Sequence, residues 1–468
     1  MGHNELPAAV SEAAFPADPD FPQLQAGSDT RRMLALFRAH LTPARGARRI
    51  CRIESCVPVR FRCRQSTTRC VLQYLLRIVE PATGRRWQQW VTGLIYAEAG
   101  AAERLWRDLV ADEARAIPES WRTFEPVTFV PDLQMVLQLF PYDRRLPNLA
   151  RVMSGGLSGL EPLLLARFGP GLWHPTGQSL TPTRYRTELG AALQWTIRAR
   201  DRLTSRTAEQ RCYLKVYRDH HGTDTFGLLR ALADRGRNGD AGYSVVEPIA
   251  YFDDLRTLVL EEAPGATLQQ LLLHDRETIA ALRAVARAIA ALNTDDLAIS
   301  GRHSRADQIA DVKRAASLLV WACPEVKETV RETVGAVVDG LPEVPPAPIH
   351  RDLKPDHIFV AGGRVIFIDL DSVALGDPVR DPAHLYAHLR ARVGMDGLQP
   401  DRARVAATAL IDEYIDCVPP SWRARLPMHC AGALIEVAGG IFKRQEPCWR
   451  AKVKAAVAAA QSALDGIL

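Results

Sequence analysis

The sequence predicts an α+β fold: a small antiparallel-sheet lobe, a larger mainly helical lobe after it, and a degenerate extra copy of the small lobe in front. Three observations predict it. A strand–strand–helix–strand series occurs twice at a near-constant spacing. Farther on, "RETIAALRAVARAIAALN" and "RADQIADVKRAASLLVWA" carry apolar residues at helical spacing. Between later helices, two short strands, "HIFVAG" and "RVIFIDL", flank a Gly-Gly turn.

Taken in order, residues 1–44 are expected to form a flexible N-terminus, loosely attached over 1–27, and a short helix, "SDTRRMLALFRAHL", capped by Ser28 or Asp29. The degenerate copy spans 45–150. In it "CVLQYLLRIVE" and "RRWQQWVTGLIYAE" flank the turn "PATG" as a hairpin, and "AGAAERLWRDLVADEARA" is helical. A linker covers 151–175, and the series returns over 176–270 with "AALQWTIRARDR", "RCYLKVYRD" and "TDTFGLLRALADRG". Aligning "LQY" with "LQW" gives an offset of 121, which also pairs Tyr96 with Tyr217 and Glu103 with Asp224. Aligning "MVLQLFPY" with "LVLEEAPG" gives 123 and sets Gln138 against Glu261. Residues 271–468 form the helical lobe, entered through the rigid run "LPEVPPAP".

Bulk properties narrow the function classes. The chain of 468 residues is 47% hydrophobic and 24% charged, with a net charge of +5 and scattered arginines. No concentrated basic stripe with interleaved aromatics favours nucleic acid. Trp87, Trp90 and Trp106 read as lobe core. No apolar run reaches bilayer length, and the start "MGHNELPAAVSEAAFPADPD" lacks the pattern of a signal peptide, so no membrane partner and a cytoplasmic location are expected. Cys51, Cys56, Cys63 and Cys70 lack C-x-x-C spacing and read as reduced, packed thiols.

The chemistry concentrates in "HRDLKPDHIFV" and "VIFIDLDSVALGDP". Phosphoryl transfer needs a cation on the phosphates, oxygen ligands on a metal ion, and a carboxylate that positions the acceptor hydroxyl. Asp352 stands where that carboxylate belongs, and Asp369 follows seventeen residues later at a strand end. Two short strands between them turn both carboxylates toward one place. Upstream, Lys215 lies mid-strand in "RCYLKVYRD", suited to reach phosphates. Its counterpart in the first copy is Leu94, so that copy has lost the cation.

The ordered set "YLKVY", "LVLEEAPG", "IHRDLKPDHIFV" and "VIFIDLDSVALGDPVRDPAHL" resembles the aminoglycoside phosphotransferase and choline kinase-like family of small-molecule kinases, over about 180–460. The resemblance implies a bilobal, protein-kinase-like fold that uses ATP or GTP with Mg2+. It implies a catalytic loop at 350–357 and a metal segment at 366–381. Asp352 and Lys354 become catalytic, Asp369 the metal ligand, and Lys215, Asp224 and Glu261 nucleotide-binding. His350 and Asp377 support the site, Asp377 by buttressing the catalytic loop.

Three departures follow. His357 replaces the family's metal-binding asparagine, which makes Mn2+ an alternative to Mg2+. The partner expected for Lys215 is Asp224, only nine residues away. No G-x-G-x-x-G covers the phosphates. Only seven residues separate Asp369 from Asp377, too few for the activation segment of a protein kinase, so the expected acceptor is a small-molecule hydroxyl. The first copy is expected to cap the cleft, restrict the acceptor or mediate self-association. The competing expectation is a pseudokinase-like nucleotide-binding or scaffold protein, with His357 marking a decayed metal site.

Overall fold

The computed structural model describes residues 15–46, 50–63, 68–111, 117–155, 159–237, 242–274 and 278–467. The chain divides into two compact units. One comprises Met1–Gly222, Ile249–Leu260 and Lys443–Cys448; the other comprises Thr223–Pro248, Glu261–Phe442 and Trp449–Leu468.

The first unit contains the duplication. β1 (Arg52–Arg62), β2 (Arg69–Glu80), β3 (Arg85–Tyr96), β4 (Val127–Val130) and β5 (Met135–Leu139) form one antiparallel sheet in the order β1-β2-β3-β5-β4. β6 (Trp173–Arg186), β7 (Gly190–Asp201) and β8 (Thr207–Tyr217) begin a second sheet. After β9 (Ser244–Val245), which pairs elsewhere, it is completed by β10 (Pro248–Phe252) and β11 (Thr257–Glu261). Its order, β6-β7-β8-β11-β10, repeats the first strand for strand. The correspondence reaches individual dihedrals. Each fourth strand runs into a short 3₁₀ turn, Pro131–Leu133 or Asp253–Leu255. Each turn ends on a left-handed residue, Gln134 at φ 45° and Arg256 at φ 47°. This shared turn corrects the register read from sequence by one residue: Gln138 matches Leu260, not Glu261, and Glu261 matches Leu139.

The copies have diverged in their cores. Leu94, the counterpart of Lys215, is fully buried with Val71, Ala102, Val127, Val136 and Tyr142. Trp106 stacks on Phe129 against the same cluster. Each large apolar side chain so buried contributes about 2 kcal/mol. A second cluster joins the copies: Trp90, Trp121, Phe140 and Tyr185 meet edge-to-face, with Leu193, Leu214 and Val259 beneath them. Residues 15–27 are not loose, as the composition suggested. Phe21 and Leu24 are buried, Phe15 packs on Phe61, and the Tyr74 hydroxyl donates to the Gly27 carbonyl at 2.6 Å. Residues 1–14, included in the same expectation, lie outside the described residues.

The second unit is mainly helical. Its small sheet adds β12 (Ala266–Thr267), β14 (Ile358–Ala361) and β15 (Arg364–Phe367) to β9, in the order β12-β14-β15-β9. β13 (Ala347–Ile349) pairs with β16 (Ala374–Gly376). Gly265 has φ 88°, and a Cβ there would strike the Val360 carbonyl, so only glycine lets the chain enter β12 beside β14. Helix Arg305–Ala322 starts in a capping box, in which Ser304 and Asp307 satisfy each other's backbone N–H groups. Helices Thr278–Asn293, Arg380–Arg390, Pro400–Asp416 and Leu426–Lys443 bury most of their apolar residues in this unit. Among the described residues, no helix is long and apolar enough to cross a membrane.

Candidate active site

Residues 350–357 leave β13 after Ile349 and lead into the four-stranded sheet at β14. Between them the backbone is held from three directions. The carboxylate of Asp381, fully buried at the start of helix Arg380–Arg390, accepts from the backbone N–H of His350 at 2.7 Å and of Arg351 at 2.9 Å. Asn293 Nδ2 donates to the same carboxylate and to the Pro348 carbonyl. His384, one turn beyond Asp381, donates from Nδ1 to the Leu353 carbonyl at 2.9 Å. These bonds stabilise an unfavourable backbone. Arg351 has φ 72° and Asp369 φ 63°, left-handed positions that cost a non-glycine residue about 1–3 kcal/mol each. His350 is buried and donates from Nε2 to the Ile368 carbonyl at 2.9 Å, tying the loop 350–357 to the residue before Asp369.

Around this frame, Asp352, His357 and Asp369 each offer one ligand atom, and these atoms lie within 4.8 Å of one another. Lys354 Nζ donates to Asp352 Oδ2 at 3.1 Å. Burial opposes the Asp352 charge, but its positive neighbours, Lys354 foremost, together outweigh burial and hold the carboxyl well below the usual range. Burial, then Lys354, pushes His357 down to about 4, so its ring is neutral at neutral pH. His357 Nδ1 lies 3.0 Å from the Asp352 backbone carbonyl, which can only accept, so Nδ1 carries the proton. Nε2 then turns its lone pair toward Asp369 Oδ2, 3.2 Å away. Two electron pairs facing each other at that distance call for a cation between them. Two carboxylates and one neutral imidazole are a divalent-metal donor set, and the nitrogen makes it softer than magnesium's usual all-oxygen set.

Residues 196–414 match the sequence profile described as "Phosphotransferase enzyme family". The match spans just under half of the chain. No curated protein matches the chain. Among solved structures, a choline/ethanolamine kinase family protein from Mesorhizobium loti aligns at 15% identity, covering 62% of this chain and 89% of its own, with a TM-score of 0.41. Choline kinase from Cryptosporidium parvum aligns at 11% identity, covering 62% and 90%, with a TM-score of 0.41. An aminoglycoside phosphotransferase from Streptomyces rimosus aligns at 16% identity, covering 59% and 98%, with a TM-score of 0.35.

Within the matched segment the structure brings together Asp352, Lys354, His357 and Asp369, with His350 beneath them. It does not give Asp377 the supporting role expected of it. Both oxygens of Asp377 are taken by Arg425, at 2.9 and 3.0 Å, and by His429 Nε2, at 2.9 Å. Burial opposes its charge, but His429 and Arg425 hold the carboxyl well below the usual range. The loop is buttressed by Asp381 instead. The motif that contains both aspartates was visible in the sequence; which of them turns inward was not.

The residues expected on the nucleotide side belong to other elements. Lys215 lies in β8, half-buried, opposite Ala192 of β7. It shares a face with Tyr213 and Tyr217, while Cys212, Leu214 and Val216 fill the buried face. Asp224 occupies the first turn of helix His221–Arg237. Glu261 ends β11, and its N–H donates to the Glu247 carbonyl at 3.0 Å.

Proposed function

We propose that this protein is a nucleotide-dependent phosphotransferase that moves the γ-phosphate of ATP or GTP to a hydroxyl of a small molecule. The observation that carries the reading is the cluster of Asp352, His357 and Asp369 on a loop pinned by Asp381, with Lys354 on Asp352. In this reading Asp352 accepts a hydrogen bond from the acceptor hydroxyl. As the new O–P bond forms, the bond from the γ-phosphorus to the bridging oxygen breaks and the nucleoside diphosphate leaves. The hydroxyl proton passes to Asp352. Because Asp352 is a weak base, its main work is orientation, and the proton leaves late. Lys354 balances Asp352 and the transferred group, and Lys215 clamps phosphates, with Asp224 and Glu261 on the nucleotide side. Asp369 and His357 would hold the divalent ion, Mg2+ or Mn2+, which neutralises phosphate charge when bound.

The short link from Asp369 to Asp377 supports a small acceptor rather than a peptide. The histidine at 357 favours a second reading, a catalytically weakened nucleotide-binding protein. A screen of hydroxylated metabolites for acceptor-dependent nucleotide consumption, run on the wild type and on Asp352→Ala, separates them. Phosphotransfer predicts turnover that Asp352→Ala abolishes while nucleotide affinity persists. Turnover that survives in Asp352→Ala overturns the role of Asp352, and absence of turnover with every acceptor favours the second reading.

A further inference from the structure

The turn Thr187–Leu189, which joins β6 to β7, is built unlike a phosphate-covering loop. In kinase-type lobes the glycine-rich turn that covers the nucleotide phosphates precedes the lysine strand. Here that turn carries Glu188, left-handed at φ 62° and 1% exposed. An exposed carboxylate there would repel a nucleotide. Instead the first copy takes it up: Glu188 accepts from Arg69 Nη1 at 2.7 Å, Arg144 Nε at 2.9 Å and Arg62 Nη2 at 3.3 Å. Burial pushes its carboxyl up, but Arg69, Arg144 and Arg62 outweigh this and hold it below its ordinary value.

The rest of the turn is fastened to the same copy. Arg62 donates to the Thr187 carbonyl, and the Thr187 and Thr92 hydroxyls are 2.6 Å apart. Glu188 N–H donates to Asp143 at 2.6 Å, and Tyr185 OH donates to the same oxygen at 2.8 Å. Gln73 donates to the Tyr185 carbonyl. Immediately after the turn, Gly190 and Ala192 pair with Tyr217 and Lys215.

We propose that the first copy is a positioning domain for the second: through Glu188 it fixes the turn beside Lys215 and leaves a net positive charge there, so that nucleotide affinity depends on it. This rests on the nucleotide-binding role of Lys215 proposed above. Glu188, Arg69 and Arg144 are positioning residues and touch no substrate in this scheme. The test is equilibrium binding of fluorescent N-methylanthraniloyl ATP and GTP, with Mn2+, to the full chain. The double variant Arg69→Gln/Arg144→Gln is compared with Arg69→Lys/Arg144→Lys at a temperature where near-UV circular dichroism shows both folded. The glutamine pair is expected to weaken binding about tenfold or more, as a misplaced clamp does, and the lysine pair, which keeps the charge, to recover most of it. Should the double variant not fold, Arg144→Gln alone gives the same reading. If the wild type binds and the glutamine variant stays within about twofold, or the lysine pair rescues nothing, the positioning role is overturned alone. If the wild type binds neither nucleotide, the function and this inference fall together.

Discussion

Nε2 of His357 faces Oδ2 of Asp369 at 3.2 Å, with its lone pair directed there by the Nδ1 hydrogen bond to the Asp352 carbonyl. This relationship turns an apparent defect, histidine for asparagine, into a candidate nitrogen ligand. The expected consequence of His357→Asn is a change of metal preference. Mn2+ affinity should fall about tenfold relative to Mg2+. Calorimetric titration of each ion, without nucleotide, checks this. An unchanged ratio places His357 outside the metal's coordination sphere.

Asp381→Ala should destabilise the second unit by about 3 kcal/mol. It leaves the N–H groups of His350 and Arg351 without their acceptor and takes one of two acceptors from the Asn293 amide, at about 1–3 kcal/mol for each buried group stranded. Urea unfolding of variant and wild type measures the loss. Asp377→Ala should leave the loop backbone bonds intact, so hydrogen exchange at His350 and Arg351 should accelerate only in Asp381→Ala.

Much of this site could be read from the sequence because it is contiguous. His350, Asp352, Lys354 and His357 lie within eight positions, and Asp369 follows after two strands whose turn is marked by glycines. The clamp on Glu188 could not be read this way. Its arginines come from positions 62, 69 and 144, and nothing local marks any of them as facing a buried carboxylate. The duplication was legible from spacing, but its last strand was displaced by one residue. Apolar strands align almost equally well in neighbouring registers until the left-handed turn residue is seen.

Leu94→Lys, which restores the lysine of the second copy to the first, should not create a nucleotide site. Leu94 is buried among Val71, Val136 and Tyr142, so the substitution places an unpaired ammonium in an apolar cluster. A loss of at least ~3 kcal/mol is expected in chemical unfolding. A stable variant with a gain in nucleotide binding would mean that the first copy retains a working cleft.

Asp311 ties the capped helix Arg305–Ala322 to the loop 350–357. Its carboxylate meets His303 Nε2 at 3.1 Å and lies 3.7 Å from Arg351 and 3.9 Å from Arg380. Burial opposes the charge, but the His303 hydrogen bond with Arg380 and Arg351 brings the carboxyl down to about 2. A carboxyl lowered on folding contributes stability that is complete above its unfolded value and fades as pH falls toward the folded one. The contribution should be about 1–2 kcal/mol at pH 6 after allowance for its partial exposure. The stability gap between wild type and Asp311→Asn should shrink between pH 4 and pH 2.5. A gap that stays constant over that range would mean that Asp311 acts through packing alone.

The most direct measurement is the thermal shift of the wild type and of Asp369→Asn with ATP or GTP, each with and without Mg2+ or Mn2+. A metal-assisted nucleotide site predicts that melting rises only when nucleotide and divalent ion are both present, and that Asp369→Asn abolishes the rise. No shift in the wild type, or a metal-independent shift that survives in Asp369→Asn, would contradict a phosphotransferase site built on Asp352, His357 and Asp369.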